Sequence, residues 1–228
     1  MIQNTLKNWS FKKYKMYQMC PLSVKFEYID RAPKPPPNEK DDAARLRGIR
    51  MHNEMEACIK GEGPIPSYAN KFENVISALI ENGARAEQDM FFNDRWEYQE
   101  EREGHWLQVK QDVLVVTDEY VLNGDWKSGR RFGNEYWHFK QMQLYSVATW
   151  RAFPGRPEYV AELYYLDKDD LWCVQFTPQQ LEKAFADFDR EVDKMFNDTV
   201  FRPKPNVDTC RFCPYNKKGT GLCPVAAV

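Results

Sequence analysis

The stretch from Trp106 to Gly129 constrains the fold of this chain more than any other. Val109, Val113, Val115, Val116 and Val121 recur among alternating polar residues on either side of Thr117, Asp118, Glu119 and Tyr120. β-Branched residues flanking a polar turn predict two strands joined as a hairpin. If the turn is symmetric about Asp118 and Glu119, residues whose numbers sum to 237 face each other, and Asp112 lies across from Asp125. Side chains alternate along a strand, so Lys127 shares the face of Asp125 while Trp126 points to the other. Two carboxylates that close repel, and such a pair either shares a proton or holds a divalent cation. A surface hairpin whose Asp and Lys simply pair is the plainer reading of the same residues. If a cation is held, the trio suits phosphodiester hydrolysis: Mg²⁺ or Mn²⁺ would neutralise the phosphate and acidify water, with Lys127 placing that water or stabilising developing charge.

The rest of the chain supplies elements to hold such a hairpin. Pro33, Pro35, Pro36 and Pro37 mark Ala32 to Asp41 as an exposed connector. Leu46, Ile49, Met55 and Ile59 recur at helical spacing from Asp42 to Lys60, with Gly61 as a stop. A second helix is predicted from Tyr68 to Asn82, ended by Gly83 and followed by an extended stretch carrying Glu87 toward Phe92. Gly129 and Gly133 break the hairpin's second strand, and Trp137 to Trp150 reads as a helix with Gln141, Tyr145 and Ala148 close to one face. Strands are predicted at Val160 to Leu166 and Trp172 to Phe176. Thr177 as cap and Pro178 at the first turn open a helix to Phe196. This order predicts an α/β fold, a mixed sheet with helices on both sides.

A length of 228 residues suits one domain, 1–228, with an N-terminal segment 1–41, a core 42–200 and a tail 201–228. The longest apolar runs are too short to cross a bilayer, and Met1 to Trp9 is polar and unlike an export signal. The expectation is a cytoplasmic protein without membrane contact. A net charge of −2 neither supports nor excludes a nucleic-acid partner. A local basic rim could come from Lys7, Lys12, Lys13, Lys15, Arg130, Arg131, Lys217 and Lys218. No G-x-x-x-x-G-K-S/T loop is present, so a helicase motor is not expected. Trp9, Tyr14, Tyr17, Trp137 and Tyr145 could stack on bases, although packing in the core is the commoner fate of such rings.

Asp125-Trp126-Lys127-Ser128-Gly129, preceded by Asp112 and followed by Gln141-Met142-Gln143-Leu144-Tyr145, resembles the RecB and Cas4 branch of the PD-(D/E)XK nuclease superfamily, with its restriction-endonuclease-like core. Arg47 to His52 resembles the family's glycine-then-histidine helix, Glu87 corresponds by order to its additional acid, and Gln141-x-x-x-Tyr145 to its Q-x-x-x-Y helix. The resemblance implies Asp112 and Asp125 as ligands of Mg²⁺ or Mn²⁺, with His52 and Glu87 as further ligands and Trp126 counted in the metal set. It implies Lys127 as the catalytic lysine, with Gln141 and Tyr145 bordering the site and the DNA. Asp89 and Asp94 are close alternatives to Glu87, and Gln111 stands where the family's proline usually precedes the first aspartate. The implied activity is an exonuclease acting on DNA ends or single strands in replication, repair or recombination, alone or with a protein partner. A structure-specific endonuclease, a Cas4-like end trimmer and a non-catalytic DNA-binding subunit are the alternatives; oligomeric state is open.

Cys210-Arg-Phe-Cys213 and Cys223 give three thiols at metal-binding spacing in a short tail. A fourth ligand is required. Cys20 sits where AddB-type and Cas4 proteins place the first cysteine of an iron–sulfur site, so the resemblance implies a [4Fe–4S] cluster on Cys20, Cys210, Cys213 and Cys223, with the tail returning to the N-terminus. Zinc on the same thiolates is the competitor. Cys58 and Cys173 read as small packing residues.

Overall fold

The computed structural model describes residues 5–36 and 39–227. Met1 to Asn4, Pro37, Asn38 and Val228 lie outside them, and with them parts of the polar N-terminus and the proline connector. Two compact units make up the chain: Lys40–Asp187, and Met1–Glu39 with Phe188–Val228.

The larger unit is built on a six-stranded mixed sheet in the order β2-β1-β3-β4-β5-β6. Its strands are β1 (Arg85–Phe92), β2 (Tyr98–Gln99), β3 (Leu107–Val116), β4 (Tyr120–Lys127), β5 (Glu158–Tyr165) and β6 (Asp170–Phe176). The predicted hairpin register holds: Val113 faces Gly124 and Val116 faces Val121, both pairs summing to 237. β4 and β5 run parallel, which requires a crossover, and the helix Glu135–Ala152 supplies it. On one face of the sheet, Met51, Met55 and Ile59 of the helix Glu39–Ile59 and Ile76 and Leu79 of the helix Glu73–Glu81 are buried with Val113, Val115, Trp126 and Tyr164. The crossover helix packs on the other face, where buried Asn123 donates to Ser146 Oγ at 3.1 Å. Gly124 lets the first of these faces close: a Cβ there would lie 3.2 Å from the Tyr164 ring and 3.3 Å from Val113 Cβ.

Two expectations shift in detail, and one strand is new. The helix predicted to start at Asp42 begins at Glu39, so the connector ends sooner. The helix predicted over Tyr68 to Asn82 is a 3₁₀ turn, Ser67–Phe72, followed by the α-helix Glu73–Glu81. Phe72 at the junction leaves helical geometry with φ −100° and ψ 10° while its ring packs edge-on to Tyr164 at 5.6 Å, so tertiary packing overrides local periodicity. The two-residue β2 was too short to read from periodicity.

The smaller unit gathers the helices α1 (Phe11–Met19) and α2 (Pro21–Val24), a π turn (Lys25–Ile29), the end of a helix Pro178–Asn197 and the cysteine tail with a short helix Val207–Arg211. Trp9 and Tyr14 are each 1% exposed, which removes both from the candidate base-stacking rings. Tyr14 packs on Phe188 at 5.2 Å and donates to Glu191. Tyr17 donates to Asp198 at 2.8 Å. Hereafter the helices Glu39–Ile59, Glu73–Glu81, Glu135–Ala152, Pro178–Asn197 and Val207–Arg211 are α3 to α7.

Candidate active site

Asp112 stands where the sheet loosens. The β1–β3 ladder pairs Ala86 with Val113 and Gln88 with Gln111, stepping over Glu87 and Asp112 between them. The β3–β4 ladder ends at Val113 and Gly124, one residue short of Asp112 and Asp125. Glu87 adopts φ 51°, a left-handed conformation that costs a non-glycine residue of order 1 kcal/mol and that clusters at functional sites. Asp112 Oδ2 instead accepts from the Trp126 amide at 2.8 Å. The Trp126 indole is buried in the core on the sheet's other face, so only its backbone belongs to the site.

Seven predicted residues meet around this gap. His52 Nδ1, from α3, lies 3.3 Å from Asp112 Oδ2 and 3.8 Å from Glu87 Oε1. One ligand atom from each of His52, Glu87 and Asp112 falls within a mutual 4.8 Å, the one such group among the described residues. Of the alternatives to Glu87, Asp89 instead accepts from Gln108 at 2.9 Å. Lys127 Nζ lies 2.6 Å from Asp125 Oδ2 and donates to Gln141 Oε1 at 2.9 Å. Gln141 Nε2 in turn donates to Asp125 Oδ1 at 2.8 Å, so one amide fixes both the acid and the lysine. Tyr145, one turn along α5, lines the same cavity of about 520 Å³ with His52, Glu87, Asp112 and Asp125.

The electrostatics fit a cation. Burial, then the neighbouring Asp125, raises the Asp112 pKa. Hydrogen bonds to Asp112 and then Glu87 push His52 up to about 10, and His52 in return lowers Glu87. Burial raises Tyr145. Asp125 Oδ2 is buried without an aligned hydrogen-bond donor. Two buried carboxylates, a third carboxylate and an imidazole form an oxygen-rich set that suits Mg²⁺ or Mn²⁺.

Lys110 was missed from the sequence. It pairs with Glu87 and lines the cavity. Its position two residues before Asp112, on the same strand face, was the available signal.

In the smaller unit, Cys20, Cys210, Cys213 and Cys223 line a cavity of about 320 Å³. The Lys204 amide lies 3.5 Å from Cys20 Sγ, and Phe26 packs on Tyr215 at 5.1 Å. Buried Asn216 organises the tail, donating to Cys210 O at 2.8 Å and accepting from the Gly219 amide at 2.7 Å. Any Cβ at Gly219 would fall 2.1 Å from Pro214 O. Among the described residues no three of the four sulfurs lie within 4.8 Å of one another. Cys58 is buried in the α3 core, as expected, whereas Cys173 is exposed.

A profile of the PD-(D/E)XK nuclease superfamily matches residues 8–218. No curated protein matches the chain. A solved structure described as "Putative exonuclease" from Eubacterium rectale is 13% identical, with a TM-score of 0.52 over 92% of this chain and 88% of that one. The crystal structure of SSO0001 is also 13% identical, with a TM-score of 0.48 over 97% of this chain and 88% of that one.

Proposed function

The chain belongs to the PD-(D/E)XK nuclease superfamily, and on that footing we propose that it is a Mg²⁺- or Mn²⁺-dependent deoxyribonuclease of the RecB and Cas4 branch, acting as an exonuclease on DNA ends. The observation that carries this reading is the Lys127–Gln141–Asp125 chain beside the His52–Glu87–Asp112 group. His52, Glu87, Asp112, Asp125 and the Trp126 backbone would hold the ion. When bound, a divalent cation neutralises charge on the scissile phosphate and acidifies water.

The chain's own groups do the rest. Gln141 holds the Lys127 ammonium in one orientation, so its charge is in place as negative charge grows on the phosphate and needs no reorganisation during the reaction. The Trp126 amide keeps Asp112 from turning away. Lys110 and His52 hold Glu87 at the cavity wall until phosphate or ion arrives. Tyr145, protonated throughout the working pH range, offers a hydroxyl to the strand. The exonuclease element draws on the Eubacterium rectale neighbour, itself named an exonuclease, whose likeness to this chain is one of fold.

We add to this reading a [4Fe–4S] cluster on Cys20, Cys210, Cys213 and Cys223. Tetrahedral zinc on the same four thiolates is the competing occupant. The cluster's role would be structural, closing a loop of about 190 residues. A cytoplasmic setting, where thiols stay reduced, completes the reading.

The test is degradation of end-labelled linear single- and double-stranded DNA with Mn²⁺, comparing native protein with Asp125→Ala. Release of label by the native protein alone is expected. Intact DNA in both lanes, from folded protein that retains its metal, would overturn the nuclease assignment in favour of a DNA-binding subunit.

A further inference from the structure

The loop that follows Lys127 and the first turn of α5 expose rings that a folded chain normally hides. Phe132 is 76% and Tyr136 62% exposed. Burying a large aromatic side chain is favourable, so two large rings in solvent on one short segment call for a partner. The segment is braced rather than loose. Arg131 lies over the Trp172 ring at 4.2 Å, Trp172 stacks with Phe139 at 6.4 Å and 29°, and Tyr136 meets Trp137 edge-on at 4.9 Å. Arg130, two residues before Phe132, is exposed. Arg130 also lines a smaller cavity with Lys127, His52 and His138, which joins the loop to the site.

We propose, resting on the nuclease reading above, that Phe132 and Tyr136 form a stacking platform for unpaired bases of the DNA strand entering the site, with Arg130 and Arg131 steering its phosphates. Five residue-to-residue steps lead from Lys127 to Phe132 and span at most about 18 Å, while stacked bases rise by about 3.4 Å each. The platform therefore lies within a few nucleotides of the bond to be cut. Inside a duplex each base face is covered by its neighbour, so an open ring finds a partner only on a single strand or a frayed end. The flanking guanidiniums favour a polyanion over an apolar protein surface. The substrate class that follows is single-stranded DNA, or duplex with a single-stranded end.

The experiment uses the full-length protein without added divalent metal, so that binding is read apart from cleavage. Affinity is measured by fluorescence anisotropy for labelled oligothymidylate, for an abasic strand of the same length and for a blunt hairpin duplex. Base–aromatic stacks are worth roughly a factor of 5 to 150 in Kd each. Phe132→Ala with Tyr136→Ala is expected to weaken oligothymidylate binding at least about tenfold and to leave abasic and duplex binding unchanged, while Phe132→Trp retains affinity. Equal loss on the abasic strand, or unchanged binding to oligothymidylate, overturns the proposal. A change in oligomeric state on size-exclusion chromatography with unchanged binding overturns it too, assigning the rings to self-association. Cleavage with Mn²⁺ is scored separately: native protein that binds in this pattern but never cuts would sink the nuclease reading and leave the platform standing.

Discussion

His52 is where the metal-free and metal-bound proteins should differ most. Its hydrogen bonds to Asp112 and Glu87 lift its pKa from the ordinary 6.5 to about 10, so without an ion the ring is cationic at neutral pH. The sign follows from the raised value: the charged ring stabilises the metal-free fold fully below about pH 6.5, and that contribution is lost as pH climbs through about 10. A histidine ligand must be neutral, so ion uptake near neutral pH should expel about one proton. Calorimetric titration with Mn²⁺ in two buffers of different ionisation heat measures this directly. Heats that differ between buffers for the native protein and converge for His52→Ala are expected; buffer-independent heats in the native protein would remove His52 from the ligand set.

At the scale of elements, the close approach at Gly124 makes a stability prediction. Gly124→Ala sets a Cβ 3.2 Å from the Tyr164 ring and 3.3 Å from Val113 Cβ. Overpacking of this kind costs about 1–3 kcal/mol, so thermal melting should show a clearly lowered Tm, and an unchanged Tm would mean the layer can give. The hairpin, α5 and the opening of α6 were legible because short-range rules specify them. The 237 register follows from one turn, and Thr177 caps α6 through the Gln180 amide at 3.3 Å as its residue type suggests. The split before α4 was not legible, because Phe72 answers to Tyr164 far along the chain. Nor was the left-handed backbone of Glu87, since nothing local in Ala-Glu-Gln asks for it. Asp112, Asp125 and Lys127 could be placed together from strand alternation, whereas the contacts of His52 and Glu87 needed a family's order of motifs and then the fold itself. The bridging role of Gln141 depends on how α5 docks, which no pattern within the helix states.

Across the whole molecule, the smaller unit should stand or fall with its cysteines. Protein purified without oxygen is expected to be brown and to contain iron and acid-labile sulfide, and Cys213→Ser to lose both and melt at lower temperature. Stoichiometric zinc with no sulfide would replace the cluster by a zinc site. The parallel pairing of β4 with β5 also sets the order in which the site is assembled. The β3–β4 hairpin, which carries Asp112, Asp125 and Lys127, closes through local contacts, but Gln141 arrives on the crossover that must fold back before β5 can pair. Non-local closure of this kind is the slow part of folding. A ribosome-bound chain released only as far as β4 therefore holds the acids and the lysine without the amide that aims them.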